Sequence, residues 1–142
     1  MVNSRFSVAI HILSLIASTK DNGLLTSDFI AGSVNTNPVV IRRISGQLKK
    51  AGLIQTKSGV SGYSLTKTPV EINLLDVYHA VQAPSELFAI HEHPNPNCSV
   101  GKEIEQTLDT IFSSVQQAME NELKVRTLED VLQRIFSADI TF

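Results

Sequence analysis

The stretch that most restricts the fold is NPVVIRRISGQLKKAG, residues 37–52. Both of its ends are punctuated as helix ends are. Asn37 can accept a hydrogen bond from a free amide of the first turn. Pro38 stands at the first helical position, where a missing N–H costs nothing. Gly52 lies just past the last periodic residue, where a left-handed cap is wanted. Between them Ile41, Ile44, Leu48 and Ala51 recur at i, i+3, i+7 and i+10, which makes one buried stripe on a helix. Arg42, Arg43, Gln47, Lys49 and Lys50 fall on the other faces. The β-branched run Val39-Val40-Ile41 is weak in helix propensity, so packing against neighbours has to hold this helix in place.

The flanking segments give the helix a context. TSDFIAGSV, residues 26–34, reads as a short helix capped by Thr26 or Ser27, with Asp28 favourably placed in its first turn. NTN (35–37) breaks it, so the two helices make a helix-turn-helix pattern. After Gly52, LIQTKSGVSGYSLTK (53–67) alternates in two short runs around a glycine-bearing turn, a β-hairpin with Lys57 and Tyr63 beside its tip. A hairpin directly after a recognition helix is the wing of a winged helix, and such a wing can follow phosphates or enter the minor groove.

The remainder is mostly helical. SRFSVAIHILSLIAS (4–18) is apolar on most sides and is expected to be buried on several faces, with His11 at a core edge or interface. TKDNG (19–23) is a turn. TPVEINLLDVYHAVQ (68–82) enters a further helix, with Asn73 as cap and Asp76 three residues later. In residues 100–125, Ile104, Leu108, Ile111, Val115, Ala118 and Glu122 recur at steps of three and four, a heptad-like seam suited to dimerisation. TLEDVLQRIF (127–136) opens on a Thr127–Asp130 capping box.

Charge separates this chain from an ordinary acidic protein. The net charge is −2, yet no acid occurs between Asp28 and Glu71, an interval holding Arg42, Arg43, Lys49, Lys50, Lys57 and Lys67. Such an interval reads as a local phosphate-binding surface. The 142 residues, 42% of them hydrophobic, suit one soluble domain with a small appendage. No apolar run approaches the roughly 18–20 residues that span a bilayer. The N-terminus has one arginine, a histidine within its apolar stretch and no small-residue cleavage site, so it does not read as a signal peptide. A single cysteine excludes an internal disulfide and points to a reducing, cytoplasmic setting. Catalytic constellations and phosphate-cradling glycine motifs are lacking, so an enzyme is not expected.

From Leu25 to Val81 the chain resembles the DNA-binding half of the Rrf-two family of bacterial winged helix-turn-helix transcription regulators, the IscR/NsrR/CymR-like group. The pieces that carry the resemblance are Asn37-Pro38, LKKAGLI, SGVSGYSL and EINLLDVYHAV. A cysteine-bearing loop and a long helix follow in the family too, so the resemblance spans nearly the whole chain. Ser61 departs from it, because the family's wing often has glycine there. The resemblance implies a mainly α fold with a small β-hairpin wing. It implies a winged helix-turn-helix domain over 1–83, a cysteine-bearing loop over 84–99, and a dimerisation helix plus C-terminal helix over 100–142. It also implies a homodimeric repressor on a roughly palindromic duplex operator. By position, Thr36, Asn37, Val39, Arg42 and Arg43 are candidates for the major groove. Lys57, Ser58, Gly59, Ser61, Gly62 and Tyr63 are candidates from the wing, Lys49 is a phosphate contact, and Ser4 and Arg5 could add a backbone contact.

HEHPNPNCSVG (91–101) contains the sole cysteine, Cys98, and admits several readings. Cluster-binding relatives use three cysteines about six residues apart, whereas Glu92 and Ile104 occupy those offsets here, so no cluster cofactor is expected. A metal held by His91, His93 and Cys98 has no recurrent spacing, and Pro94 and Pro96 limit convergence. Cys98 near a helix N-terminus could be a low-pKa redox-sensing thiol, which an oxidant converts to a sulfenic acid or, with a low-molecular-weight thiol, to a mixed disulfide. It could equally be a buried small hydrophobe. Control by a small-molecule effector, or a winged helix that binds a protein partner, are the other functions consistent with the sequence.

Overall fold

The computed structural model describes residues 4–81 and 88–137. Helix α1 (Arg5–Ser18) lies at the centre, burying Ala9, Ile12, Leu13 and Ile16 and half-burying Phe6, Val8, Ile10 and Leu15. Its serines do not leave polar atoms stranded: Ser14 Oγ donates to the Ile10 carbonyl at 2.8 Å, and Ser18 Oγ to that of Ser14 at 2.8 Å. His11 stands at the exposed edge, its Nε2 2.9 Å from Ser33 Oγ. The 19–23 turn continues into a short 3-10 segment, Asn22–Leu24, where the Asp21 carboxylate accepts from the Gly23 amide.

Helix α2 (Ser27–Val34) starts at Thr26, whose Oγ1 accepts from the Phe29 amide, and stops at Asn35 in the left-handed conformation. Helix α3 (Pro38–Lys50) begins as expected, the Asn37 side chain accepting from the Val39 amide at 2.8 Å. Ile41, Ile44 and Leu48 are fully buried against α1, α2 and α4 (Leu74–Val81). Each such side chain is worth roughly 1.5–3 kcal/mol, enough to override the weak propensity of the β-branched start. The stripe ends one turn earlier than its spacing predicts, because Ala51 is exposed and Gly52, at φ +80°, already turns the chain away. Leu53 and Ile54 re-enter the core, anchoring the hairpin of β1 (Ile54–Lys57) and β2 (Val60–Leu65). Ile54 pairs with Leu65, Gln55 with Ser64 and Lys57 with Val60, the register slipping between them at an irregularity opposite Thr56.

A short 3-10 turn, Pro69–Glu71, leads from the hairpin to α4, where Asn73 Oδ1 accepts from the Asp76 amide at 2.9 Å. Tyr78 of α4 meets Phe6 of α1 edge to face, ring centres 5.4 Å apart. Helix α5 (Ser99–Val125) follows the cysteine loop and has no buried residue in its 27 positions. Helix α6 (Leu128–Ser137) keeps its capping box: Thr127 and Asp130 exchange amide-to-side-chain bonds of 2.9 and 3.2 Å. The Leu128 amide donates to the Ile72 carbonyl, the Leu74 amide to that of Arg126, and Leu128 is wholly buried in the core. Helix α6 therefore returns to the winged helix, with Leu128 in its core.

Gly62 is the tightest point in this arrangement. It has φ +93°, and a Cβ there would collide with the Asn22 carbonyl of the 3-10 segment. Gly62→Ala is expected to destabilise the protein by about 2 kcal/mol or more, through left-handed strain and the clash, as read by urea unfolding.

Candidate nucleic-acid interface

Burial of the α3 stripe decides what α3 presents outward. Arg42 and Arg43 are exposed, and among the described residues neither takes part in an ion pair. Val39 is exposed in the first turn. The Asn37 oxygen is committed to its cap, so its NH₂ is the part left to meet a ligand. Thr36 is half-buried, its amide bound to the Ala31 carbonyl. Lys49 reaches sideways, its Nζ donating to Thr56 Oγ1 of β1 at 2.8 Å, and so links the helix to the wing. Lys50 was not singled out by position, but it is exposed on the same side as Val39 and Arg43, as its i+7 offset from Arg43 requires.

The six wing candidates divide into two groups. Lys57, Ser58 and Gly59 form the exposed tip, with Gly59 at φ +76° making the turn. Ser61, Gly62 and Tyr63 are engaged internally instead. Ser61 Oγ donates to the Gly23 carbonyl, Gly62 abuts Asn22, and the Tyr63 hydroxyl lies 3.2 Å from Ser27 Oγ at the start of α2. These contacts join the base of the wing to the segment before α2. They leave the tip free to extend. At the other end of the domain Ser4 is exposed and precedes α1 without capping it through its side chain, while Arg5 is half-buried.

The cysteine loop has its own geometry. Cys98 is the N-cap residue of α5 and is exposed, so it is not a small hydrophobe of the core. The backbone N–H groups of Gly101 and then Val100 favour its thiolate and hold the pKa below the ordinary thiol value. The Asn95 carbonyl sits where a Gly101 side chain would be and also accepts from the Cys98 amide, which folds the loop onto the first turn. His91 and His93 are exposed, and His93 lies 3.8 Å from the Glu92 carboxylate. Among the described residues no three His, Cys, Asp or Glu side chains converge as a metal site. Further along, Phe88 packs on Phe112 with ring centres 5.1 Å apart. An open cavity of about 300 Å³ lies there, between Phe88 and Ile90 and the Asp109, Gln116 and Glu120 side of α5.

Residues 2–134 match the family model for Rrf2, described as "Iron-dependent Transcriptional regulator". The chain belongs to the Rrf2 family. It is 55% identical over 136 residues to the Bacillus subtilis (strain 168) protein named "Putative HTH-type transcriptional regulator YwnA", covering 96% of this chain and all of that one. A crystal structure described as "a putative DNA binding protein" is 51% identical, with TM-score 0.74 over 91% of this chain and 99% of that chain. The structure of CymR (YrzC), the global cysteine regulator of B. subtilis, shares the fold at 20% identity, with TM-score 0.66 over 94% of this chain and 96% of that one. As an Rrf2 member the chain is a DNA-binding transcription regulator, not an enzyme. The iron in the family's description finds no cysteine-ligated site here: such a cluster needs several thiolates, and this chain has one, exposed at a helix start. No described helix is long and apolar enough to cross a membrane.

Two measurements follow from this geometry. Arg42→Ala and Arg43→Ala should each weaken duplex binding by about 1–3 kcal/mol if they meet base edges. A phosphate contact would instead lower the salt slope by about 1, and fluorescence anisotropy across a salt series distinguishes the two. Because the Cys98 pKa is depressed, its thiolate persists as pH falls, so its alkylation rate should reach half-maximum at a lower pH than that of free cysteine.

Proposed function

We propose that the chain acts as a homodimeric, sequence-specific repressor. In this reading two copies of α3 enter successive major grooves of a roughly palindromic operator, and the wing tips follow the flanking phosphates. The observation that carries it is the outward side of α3, cationic, unopposed by acid and held rigid by the buried stripe beneath it. Arg42, Arg43, Asn37, Thr36 and Val39 would face the groove. Lys49, Lys57, Ser58 and Gly59 would hold the backbone, with Ser4 and Arg5 beside it. Ser61, Gly62 and Tyr63 would act by setting the wing's angle, since their contacts are already made inside the chain. Dimerisation is supported by α5, whose Ile111 and Val115 are 51% and 43% exposed along the heptad-like seam. An apolar row of that kind on a long helix calls for a partner.

Regulation is assigned to Cys98. Oxidation of the thiol by peroxide to a sulfenic acid with release of water, followed by condensation with a low-molecular-weight thiol to a mixed disulfide and a second water, would alter the dimer helix and so the spacing of the two recognition helices. The cavity beside Phe88 and Phe112 favours a second reading, in which a small amphipathic effector bound against α5 sets that spacing. The test is a mobility shift on the promoter of the protein's own gene, with and without mild oxidant, for wild type and Cys98→Ser. Wild type should bind under reducing conditions and release with oxidant, and Cys98→Ser should bind and stay bound. Loss of wild-type binding under reducing conditions would defeat the repressor reading. An equal response of both proteins to oxidant would defeat the thiol switch and leave the effector reading.

A further inference from the structure

Two residues on the outward side of α3 are unexplained by the chain's own packing. Val39 is 52% exposed although it is large and apolar. Gly46 stands mid-helix, where glycine is among the least favourable residues, yet a Cβ built on it would meet nothing within 4 Å. Neither a tight internal approach nor a positive φ requires a glycine at this position. Val39, Arg42 with Arg43, Gly46 and Lys50 succeed one another at steps of three and four, so they form one strip opposite Ile41, Ile44 and Leu48. The strip is apolar at its leading end, has no side chain at its centre and is cationic on its flanks. No acid lies on this helix.

We propose that this strip makes Val39 a specificity-determining residue that reads the 5-methyl group of a thymine, with Gly46 the point where the helix backbone seats closest on the duplex. The inference rests on the reading of α3 as the major-groove helix. Thymine carries the apolar group of the major-groove edge, and small apolar side chains recognise it by contact. The first turn of a recognition helix is the part that meets base edges, and Val39 lies there. Gly46 follows seven residues later, about 10 Å along the axis at 1.5 Å per residue, which is within a single half-site. A glycine there lets the axis approach by the thickness of the missing side chain, bringing Arg42 and Arg43 within reach on either side. Arginines without an acid among them select a polyanion over an apolar protein surface as the occupant.

The test uses the full chain and a duplex that it selects from a randomised pool. Replacing each thymine singly with deoxyuridine removes the methyl group alone. Wild type is expected to lose about fourfold in affinity at one thymine of each half-site, the value of one buried methyl group. Val39→Ala should bind the parent duplex several-fold more weakly and show no deoxyuridine penalty. Gly46→Ala should raise the melting temperature by about 3–6 °C, since alanine favours the helix and the space is open, and yet weaken binding. Equal wild-type affinity for every deoxyuridine duplex, or an unchanged penalty in Val39→Ala, overturns the thymine contact. Wild-type affinity in Gly46→Ala overturns the close approach. A pool in which no duplex is enriched overturns the major-groove reading itself, and the proposal with it.

Discussion

Burial of Ile41, Ile44 and Leu48 is the constraint on which the other features of the molecule depend. Those three side chains clamp α3 against α1, α2 and α4 and leave it one rotation about its own axis. A turn of one residue would swing each side chain by about 100° and expose part of the stripe, at a cost of several kcal/mol. The same clamp therefore fixes Val39, Arg42, Arg43, Gly46 and Lys50 as the outward side. Packing energy in the core is thus what holds that outward side in one place, and a preformed surface loses little entropy when it binds a partner.

The wing is held by a second, smaller set of contacts. Asn22 and Gly23 receive Gly62 and Ser61, and Ser27 meets Tyr63, so the hairpin is joined to the segment that opens the helix-turn-helix. Lys49 adds a bond from α3 to Thr56 on the other strand. Helix and wing are thus linked at several points, and the tip at Lys57–Gly59 is the exposed part. Departure from glycine at Ser61 acquires a local role here, because its hydroxyl supplies one of the bonds to the 3-10 segment.

Helix α5 follows a different rule. Its C-terminal end is tied to the winged helix through Arg126, Thr127 and Leu128, while Ile111 and Val115 of its seam remain exposed. These bonds fix where the C-terminal end of α5 meets the winged helix. Cys98 stands at the start of α5, and Phe112, midway along it, packs on Phe88.

Much of this was legible in the residues themselves, for reasons that are local. Helix caps at Thr26, Asn37, Asn73 and Thr127 involve partners two or three residues away, and the stripe of α3 and the seam of α5 are periodic. Absence of acid from residues 29–70 likewise needs no coordinates. What tertiary structure alone decided lies in contacts between distant segments, which leave no periodic trace. Packing of Gly62 against Asn22 goes with contacts that engage half of the wing candidates within the chain, and the Leu128–Ile72 bond brought the last helix back onto the winged-helix core. Ala51 fits the stripe by spacing, but the chain turns at Gly52 before it can be buried. Cys98 could be read as core or surface from its neighbours, and the fold leaves it exposed at the start of α5, where the Gly101 and Val100 amides favour its thiolate. Sequence sets what each segment prefers; which surfaces remain for a partner is settled by what the rest of the chain covers.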